Sequence, residues 1–238
     1  MTGKQELLVD IGNSTAVFAW FDGTKIMSQK KVATSDIESS FLDNELSLAS
    51  RVFVSSVVPS IDAMLSHYAH VTLIQSDSIP LLNVNVDIPA QVGADRLVNA
   101  LGAYDLYKRD CLIVDSGTAI TFCYVDKDGA YHGGAIFPGM GIASKALSLY
   151  TAKIPLIQVK PQNASFGKTT QEAVEVGLYH GYVHMINGMI EQVKAEHPGI
   201  YVVGAGNGLK VLEDKLNIDE YNPDLTLHGL AVCSKSLA

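Results

Sequence analysis

The chain has 238 residues, 47% of them hydrophobic, and a net charge of −8 from 17 Lys and Arg against 25 Asp and Glu. That is enough apolar content for one large core or two small ones, and the wrong charge for nonspecific nucleic-acid binding. No apolar run approaches the roughly 18 residues of a membrane span, and the polar start Met1-Thr-Gly-Lys-Gln-Glu6 lacks the blocks of a secretory signal, which places the protein in the cytoplasm.

In chain order, Leu8-Val9-Asp10-Ile11-Gly12-Asn13-Ser14-Thr15-Ala16 runs an apolar strand into Asp-x-Gly and small polar side chains. Residues 17–21 return as a second strand and turn at Asp22-Gly23. Residues 24–32 read as a third strand, with Thr34-Ser35-Asp36 as the N-cap of a helix through Ile37, Phe41, Leu42 and Leu46. A buried strand at 51–58, a short helix from Pro59 to about Tyr68 and a strand at 71–74 follow. Residues 84–89 form an extended link, and Gly93-Ala94-Asp95-Arg96 opens a helix to about Lys108.

The second half repeats this plan. A strand at 111–115 runs into Asp115-Ser116-Gly117-Thr118, residues 120–126 return and turn at Asp128-Gly129, and a third strand at 130–137 ends in Pro138-Gly139-Met140-Gly141. Then come a helix from about Ile142 to Tyr150, an extended stretch at 154–159, and a long helix announced by the capping box Thr169-Thr170-Gln171-Glu172. A strand at 199–203 turns at Gly204-Ala205-Gly206-Asn207-Gly208 into a helix reaching about Leu216, and a final short helix closes the chain. Strand meanders followed by alternating helices and strands are an α/β pattern, and the repeated hairpin implies two related domains, 1–110 and 111–238.

A strand ending in Asp-x-Gly presents a carboxylate at its tip, while glycine and small residues let backbone N–H groups approach an anion. Taken singly, each hairpin is equally an ordinary turn; the duplication favours a phosphate cradle with Asp10 and Asp115 placed for metal ions or metal-bound water. Asp95 is either a plain helix-start carboxylate or, beside such a cradle, a base for a hydroxyl nucleophile, with Arg96 for an anionic substrate. Gly167-Lys168-Thr169 lacks the earlier glycine of a P-loop, since Gln162 stands there. The glycines at 204–208 miss the dinucleotide spacing and read as a base or ribose wall or a plain strand–helix turn. His180 and His184, four apart, lack a third zinc ligand and read as core or interface histidines. The scattered Cys111, Cys123 and Cys233 form no Cys-x-x-Cys and read as buried apolar residues. Gly177, Gly181 and Gly188 give the long helix a small-residue face suited to domain core or a dimer seam.

The ordered set Asp10-Ile-Gly-Asn13, Gly93-Ala-Asp-Arg96, Asp115-Ser-Gly-Thr-Ala119, Gly133-Gly-Ala-Ile-Phe-Pro-Gly139 and Leu227-His-Gly-Leu230 resembles the actin-like ATPase superfamily and, within it, the type III pantothenate kinases. The resemblance implies a duplicated, ribonuclease H-like α/β fold of two domains with ATP in the cleft between them. It also implies a homodimer and transfer of a phosphoryl group from ATP to the 4′-hydroxyl of pantothenate, the first step towards coenzyme A. It assigns Asp10, Ile11, Gly12, Asn13, Ser14, Thr15, Ala16 and Val17 to the ATP phosphates, with Asp10 near the divalent cation (Mg2+), and Thr118 also to ATP. Asp115 would hold the monovalent cation, K+ or NH4+. Gly93, Ala94, Asp95, Arg96 and Thr170 would contact pantothenate, with Asp95 as general base.

The chain departs from the family's usual residues at Val86, where a tyrosine is expected, at Ser14, where a threonine is, and at Gly204-Ala205-Gly206, where a Thr-Gly-Gly run is. Two other readings share the fold: an ATP-binding regulatory protein without turnover, and a kinase for another small molecule. Retention of Asp10, Asp95 and Asp115 weighs against the first, and Gly93–Arg96 against the second.

Overall fold

The computed structural model describes residues 5–237; the polar start at residues 1–4 lies outside them. The elements are β1 (Glu6–Ile11), β2 (Thr15–Phe21), β3 (Ile26–Ala33), α1 (Ser39–Leu46), β4 (Arg51–Ser56), α2 (Pro59–Leu65), β5 (Val71–Leu73), β6 (Asn83–Val84) and α3 (Ala94–Tyr107). After them come β7 (Cys111–Ser116), β8 (Ala119–Val125), β9 (Ala130–Pro138), α4 (Met140–Tyr150), α5 (Thr170–Glu196), β10 (Tyr201–Ala205), β11 (Glu220–Tyr221) and α6 (Leu225–Ser236). The strands form two sheets, in the orders β3-β2-β1-β4-β5 and β11-β10-β7-β8-β9-β6.

The chain divides into two compact units, one of residues up to Lys108 with Val125–Gly133 and the stretch from Asp224 on, the other of Arg109–Tyr124 with Gly134–Pro223. In the first, β1 pairs antiparallel with β2 and parallel with β4. Leu7, Val9 and Ile11 of β1, with Val52 and Val54 of β4, bury one face against Leu42 and Leu46 of α1 and Ile61 and Leu65 of α2. On α3 and α6, glycines allow backbone approach: a Cβ on Gly229 would stand 2.0 Å from the Val98 carbonyl oxygen, and one on Gly102 2.7 Å from that of Leu225. The contact is tied by the Thr226 hydroxyl, which donates to Asn99 Oδ1 at 2.7 Å, and by His228 Nε2 against Asp105 Oδ2 at 2.8 Å. The final helix therefore packs within the first unit, although chain order places it after the second meander.

In the second unit, β7 and β10 run parallel and the core joins Leu112, Val114, Ile120 and Phe122 to Tyr179, Val183, Ile186 and Ile190 of α5. The repeat holds residue by residue. In both β1 and β7 every residue is buried except the aspartate at the fifth place, and β2 and β8 share one alternation of buried and half-buried positions.

Two local expectations are corrected. Thr34–Asp36 is a 3-10 turn, not a cap, and α1 starts at Ser39 behind Glu38; the buried Thr34 hydroxyl is taken by the Gly12 carbonyl at 2.7 Å. Residues 154–159 lie outside helix and strand, and Ser144 of α4 holds them through both backbone groups of Ile157, at 2.6 and 2.9 Å. The stretch after Gly206 is two 3-10 turns, Asn207–Val211 and Glu213–Lys215; the buried Leu209 and Leu212 stand three apart, the period of that tighter helix.

Candidate active site

The first loop closes where β1 turns into β2. Asp10 lies opposite Val17 on one side and Ser55 of β4 on the other. Gly12 N–H donates to the Thr15 carbonyl at 3.0 Å, leaving Asn13 and Ser14 exposed at the tip. Thr34 braces the loop from behind, its amide donating to the Ser14 carbonyl at 3.2 Å and its hydroxyl to Gly12. This brace was not read from the sequence, where a Thr-Ser-Asp run signals a cap.

Gly93–Arg96 reaches the same end of the first sheet. The Val57 amide, just past β4, donates to the Ile11 carbonyl at 3.1 Å, and a Cβ on Gly93 would lie 3.5 Å from Val57 Cγ1. The same Cβ would stand 2.6 Å from Asp95 Oδ1, so the glycine leaves the space into which the carboxylate folds back over the helix start. The Arg96 amide donates to Asp95 Oδ1 at 2.8 Å. Burial pushes the Asp95 carboxyl above its ordinary value, against the lowering effects of that bond and of the Arg96 charge. Arg96 Nη2 reaches the Gln91 carbonyl at 3.4 Å.

In the second unit Asp115, the last residue but one of β7, lies opposite Ala205 of β10. Gly206, at φ +73°, presses onto it: a Cβ there would meet Asp115 Oδ1 at 2.2 Å and the Ser116 carbonyl at 2.5 Å. Gly139 closes the other side, its amide donating to the Thr118 carbonyl at 3.0 Å. The structure thus brings Asp115, Ser116, Gly117 and Thr118 into one loop bordered by glycines. The glycine run at 204–208 is a close-packed strand end, which its spacing left undecided.

Thr170 stands exposed as the first residue of α5, behind the capping box in which Thr169 accepts from the Glu172 amide at 3.2 Å. Gly167-Lys168-Thr169 belongs to that cap, the Lys168 amide donating to Glu172 Oε2 at 2.7 Å. His180 is engaged by the Ala164 carbonyl at 2.9 Å and His184 is exposed. Among the described residues no three His, Cys, Asp or Glu side chains gather as a metal site. The donors at the two strand ends are carboxylate, carbonyl and hydroxyl oxygens, a hard set that fits Mg2+ or an alkali cation better than zinc.

Residues 6–192 match the sequence profile of type III pantothenate kinases. The chain belongs to the type III pantothenate kinase family. A type III pantothenate kinase of Rhizorhabdus wittichii is 34% identical over 249 residues, covering 95% of this chain and 96% of that relative. Two solved structures, both 12% identical, share the actin-like ATPase fold. One is the activator of 2-hydroxyisocaproyl-CoA dehydratase from Clostridium difficile, with TM-score 0.55 over 98% of this chain and 94% of that one. The other is the ethanolamine utilization protein EutJ from Carboxydothermus hydrogenoformans, with TM-score 0.60 over 98% and 91%. The expected two-domain α/β architecture is therefore the observed one, and the segments Asp10–Asn13, Asp115–Ala119 and Gly93–Arg96 stand at its strand ends and at the start of α3.

Proposed function

We propose that this chain transfers the γ-phosphoryl group of ATP to the 4′-hydroxyl of pantothenate, yielding 4′-phosphopantothenate and ADP as the first step towards coenzyme A. Family membership supports the reaction. The observation that supports the division of roles is the partly desolvated Asp95 carboxylate, fixed by the Arg96 amide at the end of the first sheet. Such a carboxylate is a stronger base than a solvated one. It takes the hydroxyl proton as the new O–P bond forms and the bond to ADP breaks. Arg96 supplies charge for the substrate carboxylate, and Gly93, Ala94 and Thr170 complete the pantothenate contacts.

Asp10–Val17 and Thr118 bind ATP, and small side chains at residues 12–16 let backbone N–H groups reach the phosphates. Asp10 would hold a divalent cation bound with ATP, which would supply charge neutralisation at the phosphates, and Asp115 would hold K+ or NH4+. Holding the hydroxyl in line is the chain's main contribution, since phosphoryl transfer rests on positioning and charge stabilisation. The kinase works as a homodimer in the cytoplasm; three buried free cysteines suit a reducing compartment.

An ADP-release assay with pantothenate and Mg-ATP, run in potassium and again in sodium, tests the reading. Turnover that needs pantothenate and potassium is expected. Folded, ATP-binding protein without turnover on pantothenate would overturn it.

A further inference from the structure

Two adjacent serines end β4 and differ in their surroundings. Ser56 has a structural bond, its hydroxyl accepting the Val58 amide at 3.2 Å just ahead of α2. Ser55 is 0% exposed, and its hydroxyl finds no hydrogen-bond partner among the described residues. A buried hydroxyl left so is destabilising relative to alanine, because the desolvation of the O–H dipole is not offset.

Its position is specific. In the parallel β1–β4 register Ser55 lies opposite Asp10. Leu7, Val9, Ile11, Val52 and Val54 fill the core on one face of this pair of strands, so strand alternation sends Asp10 and Ser55 together to the other. That is also the sheet end to which Val57 and Gly93 bring Asp95. A serine hydroxyl both donates and accepts, and Mg2+ keeps several of its waters when protein-bound.

We propose that Ser55 is a positioning residue of the nucleotide site, its hydroxyl pairing with a water of the divalent cation that Asp10 holds with ATP. The proposal rests on the reading of Asp10 given above. Ser55 touches neither the transferred phosphoryl group nor the acceptor; it fixes where the hydrated cation sits.

The test uses Mn2+ as probe, its binding followed by electron paramagnetic resonance in the presence of a non-hydrolysable ATP analogue, together with thermal melts of the ligand-free protein. Ser55→Ala is expected to melt no lower than wild type and to bind Mn2+ about tenfold more weakly, the lower end of the effect of losing an outer-shell partner. Ser56→Ala is expected to do the opposite, melting lower with Mn2+ affinity unchanged. Unchanged Mn2+ affinity in Ser55→Ala, whatever its melting temperature, overturns the proposal and leaves Ser55 as a packing residue. Wild type that binds no Mn2+ with the analogue, or Asp10→Asn that binds it equally well, overturns the assignment of Asp10 itself.

Discussion

At the residue scale, Asp95 carries the sharpest prediction. Its carboxyl is raised by burial above the ordinary 3.8, and the base role proposed above needs the ionised form. The rate kcat/KM is therefore expected to climb with pH through an acid limb displaced upward from that value. Asp95→Asn removes the limb and lowers turnover by about 10²- to 10⁴-fold, the span of general-base effects, while nucleotide binding persists. Stability follows from the same shift. The folded state holds the proton more tightly than the unfolded chain, so this group's contribution falls as pH rises from the unfolded value through the raised folded one, and stays lower above it. The melting temperature of wild type relative to Asp95→Asn should drop across that window. A near-wild-type rate in the variant would remove Asp95 as base. Its presence was legible from Gly93-Ala94-Asp95-Arg96 because chemistry clusters there in sequence. The part played by Gly93 was not, since it comes from the carboxylate folding back to 2.6 Å from a would-be Cβ, which no spacing reveals.

At the scale of elements, what a segment does locally was readable and what it packs against was less so. The capping box at Thr169–Glu172 announced α5 because its bonds are local. Thr34 misled because its side chain serves a loop 22 residues away. The final helix was readable as a helix, whereas its packing on α3 depends on Gly102 and Gly229, far apart in sequence. That contact yields a prediction. Gly229→Ala places a methyl 2.0 Å from the Val98 carbonyl oxygen, a backbone atom that cannot move without displacing α3. Overpacking of this kind costs about 1–3 kcal/mol, and because α3 begins at the Asp95 turn, KM for pantothenate should rise as the melting temperature falls. Thermal melts and pantothenate titrations check both; a variant that melts like wild type would mean that the two helices part freely.

For the whole molecule, the duplication was legible because the same chemistry recurs at both strand ends, and the matching burial of β1 with β7 and of β2 with β8 is its structural counterpart. The surface that the expected homodimer would use was not legible, because Gly177, Gly181 and Gly188 fit core or seam equally well. All three are exposed in the second unit, with nothing within 4 Å of a would-be Cβ. An exposed mid-helix glycine costs up to about 1 kcal/mol relative to alanine, which nothing within that unit offsets. Along the chain before α5, Ile136, Phe137, Ile142, Leu149, Tyr150, Leu156 and Phe166 are also exposed, Tyr150 at 84% and Phe166 at 87%. Large apolar side chains exposed in such number along one stretch of about thirty residues are candidates for burial by a partner. The homodimer proposed above would use both features, the glycines for close helix approach and the exposed apolar side chains for burial. Light scattering on the purified kinase should therefore give twice the chain mass of 25.5 kDa. Gly181→Leu and Phe166→Asp should each shift it towards the monomer without unfolding it, because neither side chain contributes to the unit's own core. Monomeric wild type at micromolar concentration, or variants that remain dimeric, would place the association elsewhere and leave the three glycines without a physical account.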